Sequence, residues 1–507
     1  MAQKTAVTTY HSDNNRTGWN RHETQLTPAT VGSASFGLLK TVSLDDQVDT
    51  QPLVIPNVRT TTGFHPGKHD VVYVATESNT IYGIDVGRGV ILLSANLGAP
   101  VPHPLGCGNN GPNVGIDGTP VIDRVSNTMY VITYTQEGGG PVYRIHALDL
   151  GSLTDKVPPV VVSGSHLLTD GSTYNFNAKY QRQRPGLLLA NGNVYAGFGS
   201  FCDFDANRSR GWLLGWETGS LTPLASNQVL DIQASAPHSF FLTAIWMSGY
   251  GIAADTRGHM FFVSGNSDYS GTTYDGITNI QESVLEVSAD LSQVIDLFTP
   301  ADQGSLDQTD GDFGSGGVML LPNQPGAIPR MAVAAGKEGS MFLMNRDNLG
   351  GYHPGGNNVL GTFDIGSCWC GESYFVDPVD LAGRVVSSGG YSVGVWRVQT
   401  NPVTLTKVSG SATLSGQQDP GFFTSVSSNG NQTPIIWAVT HPNNSGSSAI
   451  QLYAFDPEAG GATLTQIFKG EAGTWPNRGG NANIVPVAAN GKVFVASYKQ
   501  LSIFGLQ

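Results

Sequence analysis

Short apolar stretches alternate along the chain with polar turns rich in Gly, Asn and Pro. In the clearest copy, Gln51 to Ala95, four stretches follow one another as QPLVIP, VVYVAT, TIYGID and VILLSA. Apolar runs of this length, separated by tight turns, are typical of antiparallel strands. Helical periodicity is almost absent, so the pattern predicts an all-β protein.

This unit recurs roughly every 45 to 60 residues, a period that predicts a β-propeller of four-stranded antiparallel blades. We recognise eight copies, which begin at Gln51, Gly118, Pro185, Gly249, Gly316, Ser373, Gly421 and Asn483. The last copy ends at Leu506 after three strands, whereas a lone strand at residues 36–45 precedes the first copy. We therefore expect a single eight-bladed propeller domain over residues 1–507, with its ring closed by residues 36–45. Seven blades with additional loops is the alternative.

Composition narrows the classes of function. Only 13% of the 507 residues are charged, and 39 acidic against 26 basic residues give a net charge of −13. The chain has no basic stripe, which argues against nucleic acid or an anionic membrane as partner, and no apolar run long enough to span a bilayer. The start, MAQKTAVTTY, has no hydrophobic signal region, so we expect any export signal to have been removed or never to have existed. The charge-poor, Asn-, Thr-, Ser- and Gly-rich composition indicates a periplasmic or secreted protein.

Four cysteines allow two disulfides in an oxidising compartment. Cys368 and Cys370 are separated only by Trp369, and a disulfide between such near neighbours is strained. We therefore expect each of them to pair elsewhere, for instance with Cys107 and Cys202.

The long polar loops predict where the working face lies. In a propeller, loops between blades and loops between the second and third strands of a blade share one face, here called the top face. Nearly all long insertions fall there, and loops on a rigid scaffold commonly carry function. Asp312 lies in such a loop before the fifth copy, and Lys337 lies in the turn between its second and third strands. We expect the two side chains to meet at the mouth of the central channel.

The repeat, and the opening NRTGWNRHETQLTPATVGSASFGLL, resemble the eight-bladed propeller of the quinoprotein alcohol dehydrogenases, which use pyrroloquinoline quinone (PQQ). The phrase DGDFGSGG followed by GKEGSMFLMNRD is similar to the part of that family that carries its catalytic acid and a cation. The resemblance implies that Asp312 is the general base and that Lys337 contacts the quinone carbonyl. It implies an oxidoreductase that acts on an alcohol or a sugar.

The same resemblance implies a metal site and further cofactor contacts. FFVSGNSD offers Asn266 as a metal ligand beside Asp312, and FCDFDANRSRGW offers Asp203 or Asp205. Gly314 stands where lanthanide-dependent members have an extra acid, so Ca²⁺ is the expected ion, bound by hard oxygen ligands. Trp246 is similar to the tryptophan that forms the floor under the quinone. The remaining candidates for cofactor contacts are Arg182, Arg184 and Trp475.

The chain departs from the family pattern at several positions. Gly311 replaces the tryptophan that precedes the catalytic acid, and LGCGNNGPNVGI keeps the single Cys107 where members often have two adjacent cysteines. That segment also lacks the arginine that binds the cofactor carboxylates, for which Arg182 and Arg184 are possible substitutes. No CxxCH motif for haem attachment is present.

Two other functions fit the sequence. The top loops combine cations with aromatic residues, a mixture that suits an anionic or sugar ligand; these residues are Lys179, Arg182, Arg184, Trp475 and Arg478. One alternative is therefore a lyase or hydrolase of acidic polysaccharide. The other is a non-catalytic propeller that binds a ligand or a protein, because the same scaffold serves enzymes and non-enzymes. The sequence does not fix the oligomeric state.

Overall fold

A computed structural model describes residues 4–107, 111–202, 208–236, 241–414, 420–440, 448–459, 461–476 and 483–507. Eight four-stranded antiparallel blades form a ring. The predicted all-β fold with eight blades is therefore confirmed, and the seven-bladed alternative is wrong.

Each blade runs from an inner strand at the central axis to an outer strand at the rim. Blade 1 consists of Leu53–Thr60, Gly67–Ala75, Thr80–Asp85 and Ile91–Asn96, and blade 2 of Val121–Asp123, Thr128–Glu137, Gly140–Asp149 and Val160–Val161. Blade 3 consists of Leu188–Ala190, Asn193–Phe198, Trp212–Glu217 and Gln228–Val229, and blade 4 of Ala253–Ala254, Met260–Val263, Val284–Val287 and Val294–Thr299. Blade 5 consists of Val318–Leu320, Met331–Ala335, Ser340–Asn345 and Gly361–Asp364, and blade 6 of Ser373–Val376, Gly383–Ser387, Gly394–Thr400 and Val403–Gly410. Blade 7 consists of Phe423–Asn429, Gln432–Val439, Ala449–Asp456 and Thr465–Thr474, and blade 8 of Val487–Ala489, Lys492–Ser497, Gln500–Leu506 and Phe36–Ser43.

The outer strand of blade 8 comes from the other end of the chain. Phe36–Ser43 pairs antiparallel with Gln500–Leu506, from Phe36 opposite Leu506 to Ser43 opposite Gln500. Its burial alternates because one face of an outer strand meets solvent, whereas Met331–Ala335 of blade 5 is buried throughout because neighbouring blades cover both faces. This pairing joins the two ends of the chain within one blade.

Residues 7–20, here called the channel segment, contact the inner strand of every blade in turn. Val7 pairs with Val54 of blade 1, and Trp19–Asn20 pairs in parallel with Val426 and Ser427 of blade 7. Between these ends, the segment exchanges hydrogen bonds with Ile122, Leu189, Ala254, Leu320 and Tyr374, and Asn20 donates to Ala488 O of blade 8. These bonds satisfy polar backbone groups at the axis that the blades alone leave open.

Arg16 fixes the channel segment from within. Its side chain is fully buried, and it donates to Ile252 O, to Thr9 Oγ1 at 2.7 Å and to Tyr10 O at 2.9 Å. Burial lowers the pKa of Arg16 to about 10, so the guanidinium stays charged at neutral pH. One buried cation therefore ties the segment to Ile252, the residue directly before the inner strand of blade 4.

Helix is confined to short connections. The α-helices are Pro28–Val31 and Gln303–Thr309, and the 3₁₀ turns are Pro104–Gly106, Met247–Gly249 and Phe313–Ser315. Within the ranges given above, none of these helices has the length and apolar character needed to cross a membrane.

Candidate functional site

The loop before blade 5 places two aspartates at the top face. Helix Gln303–Thr309 ends at Asp310, which adopts a left-handed conformation with φ 58°, and Asp312 follows with φ 31°. Aspartate tolerates this region better than most residues. Phe313, fully buried, anchors the loop, and its N–H donates to Glu282 Oε2 at 2.7 Å. A side chain at Gly314 would lie 2.4 Å from Gly265 Cα, so this close approach requires glycine.

The turn that carries Lys337 packs directly on this aspartate loop. Lys337 N–H donates to Asp312 O at 3.0 Å, and the Lys337 carbonyl accepts from Ser367 Oγ. A Cβ at Gly336 would lie 2.6 Å from Phe313 Cα. Backbone contacts therefore fix the two loops to each other before any side chain is considered.

Four polar side chains meet where these loops converge, and we call them the acid–lysine centre: Asn266, Asp310, Asp312 and Lys337. Lys337 Nζ donates to Asp310 Oδ2 at 2.5 Å and to Asp312 Oδ2 at 3.2 Å. Asn266 Nδ2 donates to Asp310 Oδ1 at 3.2 Å. The structure thus brings the predicted Asn266, Asp312 and Lys337 together.

The centre lies half open to solvent. The side chain of Asp312 is 3% exposed, that of Lys337 is 22% exposed and that of Asp310 is 36% exposed. Burial lowers the pKa of Lys337, but the adjacent Asp312 and Asp310 carboxylates outweigh burial, and the pKa lies above its ordinary value. Lys337 is therefore a cation at neutral pH, with the carboxyl groups of Asp310 and Asp312 as its partners.

Two further carboxyl groups lie behind the centre. Burial, followed by the charges of Asp312 and Asp307, raises the pKa of Glu282 well above its ordinary value. Burial also raises the pKa of Asp307 to about 6, although Ser267 N–H, Gln281 and Gln303 donate to it. The region thus holds more acidic groups than cations, which favours an added positive charge.

A disulfide-closed turn covers the centre. Cys368 and Cys370 are bonded to each other, with Cα atoms 4.9 Å apart, and Cys107 is bonded to Cys202. The prediction that Cys368 and Cys370 pair elsewhere was wrong, because the turn between blades 5 and 6 brings these two residues together. Trp369, at the tip of the turn, lies with its ring centroid 5.3 Å from Lys337 Nζ. Such a contact stabilises the ammonium group.

Trp246 lies beside the centre. A Cβ at Gly265, the residue before Asn266, would lie 2.9 Å from the indole Nε1. The buried Arg184 guanidinium lies over the Trp246 ring, 5.2 Å from its centroid, while Trp246 keeps part of its surface exposed. A partly exposed indole is a surface on which planar ligands stack.

The other predicted residues are not gathered at this point. Arg182, in the loop before blade 3, is buried, and its Nε donates at 2.7 Å to Oδ2 of Asp117, in the loop before blade 2. Trp475 is fully buried in the hydrophobic core between blades 7 and 8, with Leu26 and Trp437 among its neighbours, so its ring is not presented to a ligand. Asp203, Asp205 and Arg478 lie outside the described residues. With Arg182, Arg184 and Trp475 buried, the predicted basic and aromatic surface for a polysaccharide is not formed by these residues.

Three further members of the site carry little signal in the sequence. Asp310 shares Lys337 with Asp312, and the DGD spacing was its only signal. Glu282 contacts the aspartate loop from blade 4, and no motif marks it. Trp369 is marked in the sequence only by its position between Cys368 and Cys370.

The residues present fit a calcium ion. Carboxylate oxygens of Asp310 and Asp312 and the carbonyl oxygen of Asn266 are hard ligands of the kind that Ca²⁺ prefers, and the acidic surroundings leave a negative charge to be neutralised. They fit PQQ at two points, the partly exposed Trp246 and Lys337. Arg182 and Trp475 do not contribute to that fit.

No protein-family model matches the chain, and no curated protein sequence matches it. Among solved structures, it is similar to a quinohemoprotein alcohol dehydrogenase from Pseudomonas putida HK5, with 13% identity over 99% of this chain and 80% of that chain and a TM-score of 0.59. It is also similar to a europium-containing methanol dehydrogenase (10% identity, 99% and 98% covered, TM-score 0.58) and to BamB from Moraxella catarrhalis (12% identity, 93% and 100% covered, TM-score 0.51). The predicted resemblance to the quinoprotein propeller is thus confirmed at the level of the fold. Identities this low leave the chemistry to be argued from the site.

Proposed function

We propose that this propeller is a quinoprotein-like dehydrogenase, which binds PQQ and Ca²⁺ at the acid–lysine centre and oxidises an alcohol or a sugar. The observation that carries the proposal is the convergence of Asp312, Lys337 and Asn266 beside Trp246 at one end of the channel. The two disulfides support a periplasmic or secreted location, because such bonds persist in oxidising compartments.

Asp312 has the properties of a general base for a hydroxyl group. The Lys337 ammonium group lies 3.2 Å from its Oδ2, and the buried surroundings limit competition from water. Asn266 and Lys337 orient Asp310, which leaves Asp310 and Asp312 side by side as hard oxygen ligands. General bases of this type contribute about 100- to 10,000-fold to a rate.

Trp246 and Lys337 would position the cofactor. The partly exposed indole offers a stacking surface, and the Lys337 ammonium offers the positive charge that a quinone carbonyl requires. When bound, the quinone would accept the two electrons that leave the alcohol, and the calcium ion would polarise the carbonyl. Trp369 and the Cys368–Cys370 turn cover the lysine and keep it from bulk water on that side.

The test combines binding and turnover. Calorimetric titration of the calcium-loaded protein with PQQ should give saturable binding, and dye reduction should follow on addition of a primary alcohol or an aldose. Asp312→Asn should retain PQQ binding and lose at least about 100-fold in dye reduction. The matched control is Asp364→Asn, since Asp364 is an exposed aspartate of the same blade outside the centre. Absence of any PQQ binding would overturn the proposal.

A non-catalytic binding propeller is the second candidate. Lys337 is paired with both Asp310 and Asp312, which is also the arrangement of a structural ion pair, and the similarity in fold extends to BamB. In that case Asp312→Asn leaves ligand binding intact, and no member of the substrate panel is turned over.

A further inference from the structure

Three buried carboxyl groups meet at the top face of blades 1 and 2, and we call them the carboxyl trio: Asp49, Glu77 and Asp117. Asp49 precedes the inner strand of blade 1, Glu77 lies between its second and third strands, and Asp117 precedes the inner strand of blade 2. One oxygen atom from each lies within 4.8 Å of the other two. None of the three side chains is more than 5% exposed.

Separate hydrogen-bond donors hold each member in place. Gly115 N–H donates to Glu77 Oε2 at 2.6 Å, and Gln47 Nε2 donates to Asp49 Oδ2 at 2.8 Å. Arg182, from the loop before blade 3, donates to Asp117 Oδ2. Like charges are thus held close together although they repel one another, which requires a compensating interaction.

The carboxyl trio places three acidic groups beside the guanidinium of Arg182. Fully ionised, the three groups would carry a charge of −3 beside the Arg182 guanidinium, so their simultaneous ionisation is unfavourable without a further cation. Burial, and after it the charges of Asp117 and Asp49, raise the pKa of Glu77; burial and Asp117 raise the pKa of Asp49 to about 7. Buried carboxylates of this kind are stable only when they are protonated or bound to a cation.

A second observation points to a missing ligand. Glu77 is 1% exposed, yet no donor group of the described residues contacts its Oε1, and the side chain that shares a hydrogen bond with Glu77 is Asp49, another carboxyl group. Buried polar atoms are nearly always satisfied, and an unsatisfied one needs an explanation such as a bound ion.

A second acidic group among the described residues provides a contrast. Asp255, His259 and Glu286 also lie within 4.8 Å of one another. There Arg257 donates to Asp255 at 2.7 Å and to Glu286 at 3.1 Å, and His259 Nδ1 lies 2.5 Å from Glu286. That group carries its own cationic partners and serves as a control.

We propose that Asp49, Glu77 and Asp117 bind a divalent cation of the calcium class, at a site separate from the acid–lysine centre. Oxygen atoms that share one calcium ion, each at about 2.4 Å, lie up to about 5 Å apart, as they do here. Calcium suits the site better than magnesium, because Mg²⁺ retains its water shell and the carboxyl trio is buried. The ion joins blade 1 to blade 2 and, through Arg182, to blade 3.

The test is a calcium titration of metal-free protein, followed by calorimetry and by the thermal unfolding midpoint. Glu77→Gln and Asp49→Asn should each weaken binding at this site by roughly tenfold or more and reduce the calcium-dependent rise in Tm. Glu286→Gln is the matched control, and it should titrate as the unaltered protein does. Asp312→Asn should leave this site unchanged, which separates it from any calcium bound at the acid–lysine centre.

Two outcomes would overturn the proposal. One is calcium binding that is equal in the unaltered protein and in Glu77→Gln. The other is a stability that varies with pH and not with calcium, which would assign the carboxyl trio to a shared proton. If the variants do not fold, crystals of the unaltered protein soaked in MnCl₂ decide the matter: an anomalous peak between the three carboxylates supports the site, and its absence rejects it.

Discussion

Lys337 Nζ lies 3.2 Å from Asp312 Oδ2, and the same nitrogen donates to Asp310. The lysine and the aspartate come from different loops of blade 5, which are locked together by the bond from Lys337 N–H to Asp312 O. A cation fixed by backbone contacts beside two acids has opposite effects on the two proposed ligands: it attracts a quinone carbonyl and repels a metal ion.

Lys337→Gln should therefore separate the two ligands. Loss of the ammonium group should tighten calcium binding at the acid–lysine centre about tenfold, which corresponds to about 1.4 kcal/mol, because a like charge is removed. PQQ binding should weaken, and any dye reduction should fall by at least about 100-fold. Parallel calorimetric titrations with CaCl₂ and PQQ measure both effects. Lys337→Arg keeps the charge and is the control; equal calcium affinity in all three proteins would contradict this account.

Glu372 should give the stability of the protein a specific dependence on pH. Its carboxyl group is fully buried, and neither oxygen accepts a hydrogen bond from the described residues. Burial raises the pKa of Glu372 from 4.5 to about 7. Because the folded protein then holds this proton more tightly than the unfolded chain does, the stabilisation is complete below pH 4.5 and is lost as the pH rises through 7.

Glu372→Gln should remove this dependence. The free energy of unfolding of the variant should exceed that of the unaltered protein by about 2 kcal/mol at pH 8 and differ little at pH 5. Urea unfolding at the two pH values measures the difference. Glu23→Gln is the contrasting control: Glu23 accepts from the backbone N–H groups of Gln25, Leu26 and Gly491, so its replacement should destabilise the protein at both pH values. Equal effects of Glu372→Gln at pH 5 and pH 8 would refute the assignment.

The repeat could be predicted from sequence because strand burial is local and periodic. The channel segment could not, because it bonds through its backbone and through buried Arg16, and neither leaves an apolar pattern. Trp475 illustrates the reverse error: an aromatic residue near an arginine suggested a ligand contact, yet the ring fills the core between two blades. The carboxyl trio combines residues from separate loops, so only the three-dimensional arrangement reveals it.

The channel segment should be essential for stability, and replacing Arg16 tests this directly. Arg16→Met removes hydrogen bonds to Ile252 O, Tyr10 O and Thr9 Oγ1 and leaves these buried oxygens unsatisfied. We expect a loss of about 3 to 5 kcal/mol in the free energy of unfolding. Arg21→Met removes an exposed arginine near the same segment and should change stability by less than about 0.5 kcal/mol. Urea denaturation of both variants tests the contrast, and a loss below about 1 kcal/mol in Arg16→Met would reject the role of Arg16.

The two disulfides should differ in what they contribute to stability. Cys107–Cys202 joins residues 95 positions apart, whereas Cys368 and Cys370 are 2 positions apart. A cross-link stabilises mainly by restricting the unfolded chain, and the effect grows with loop length. Replacing Cys107 and Cys202 together by Ser should therefore lower the free energy of unfolding by about 3 kcal/mol. The same double replacement of Cys368 and Cys370 should lower the free energy of unfolding by less than about 1 kcal/mol, because the closed loop is short. It should instead weaken PQQ binding, because Trp369 is no longer fixed over Lys337. Guanidinium denaturation without reductant and PQQ titration measure the two quantities. Equal losses of stability in the two double variants would show that loop length does not govern these bonds.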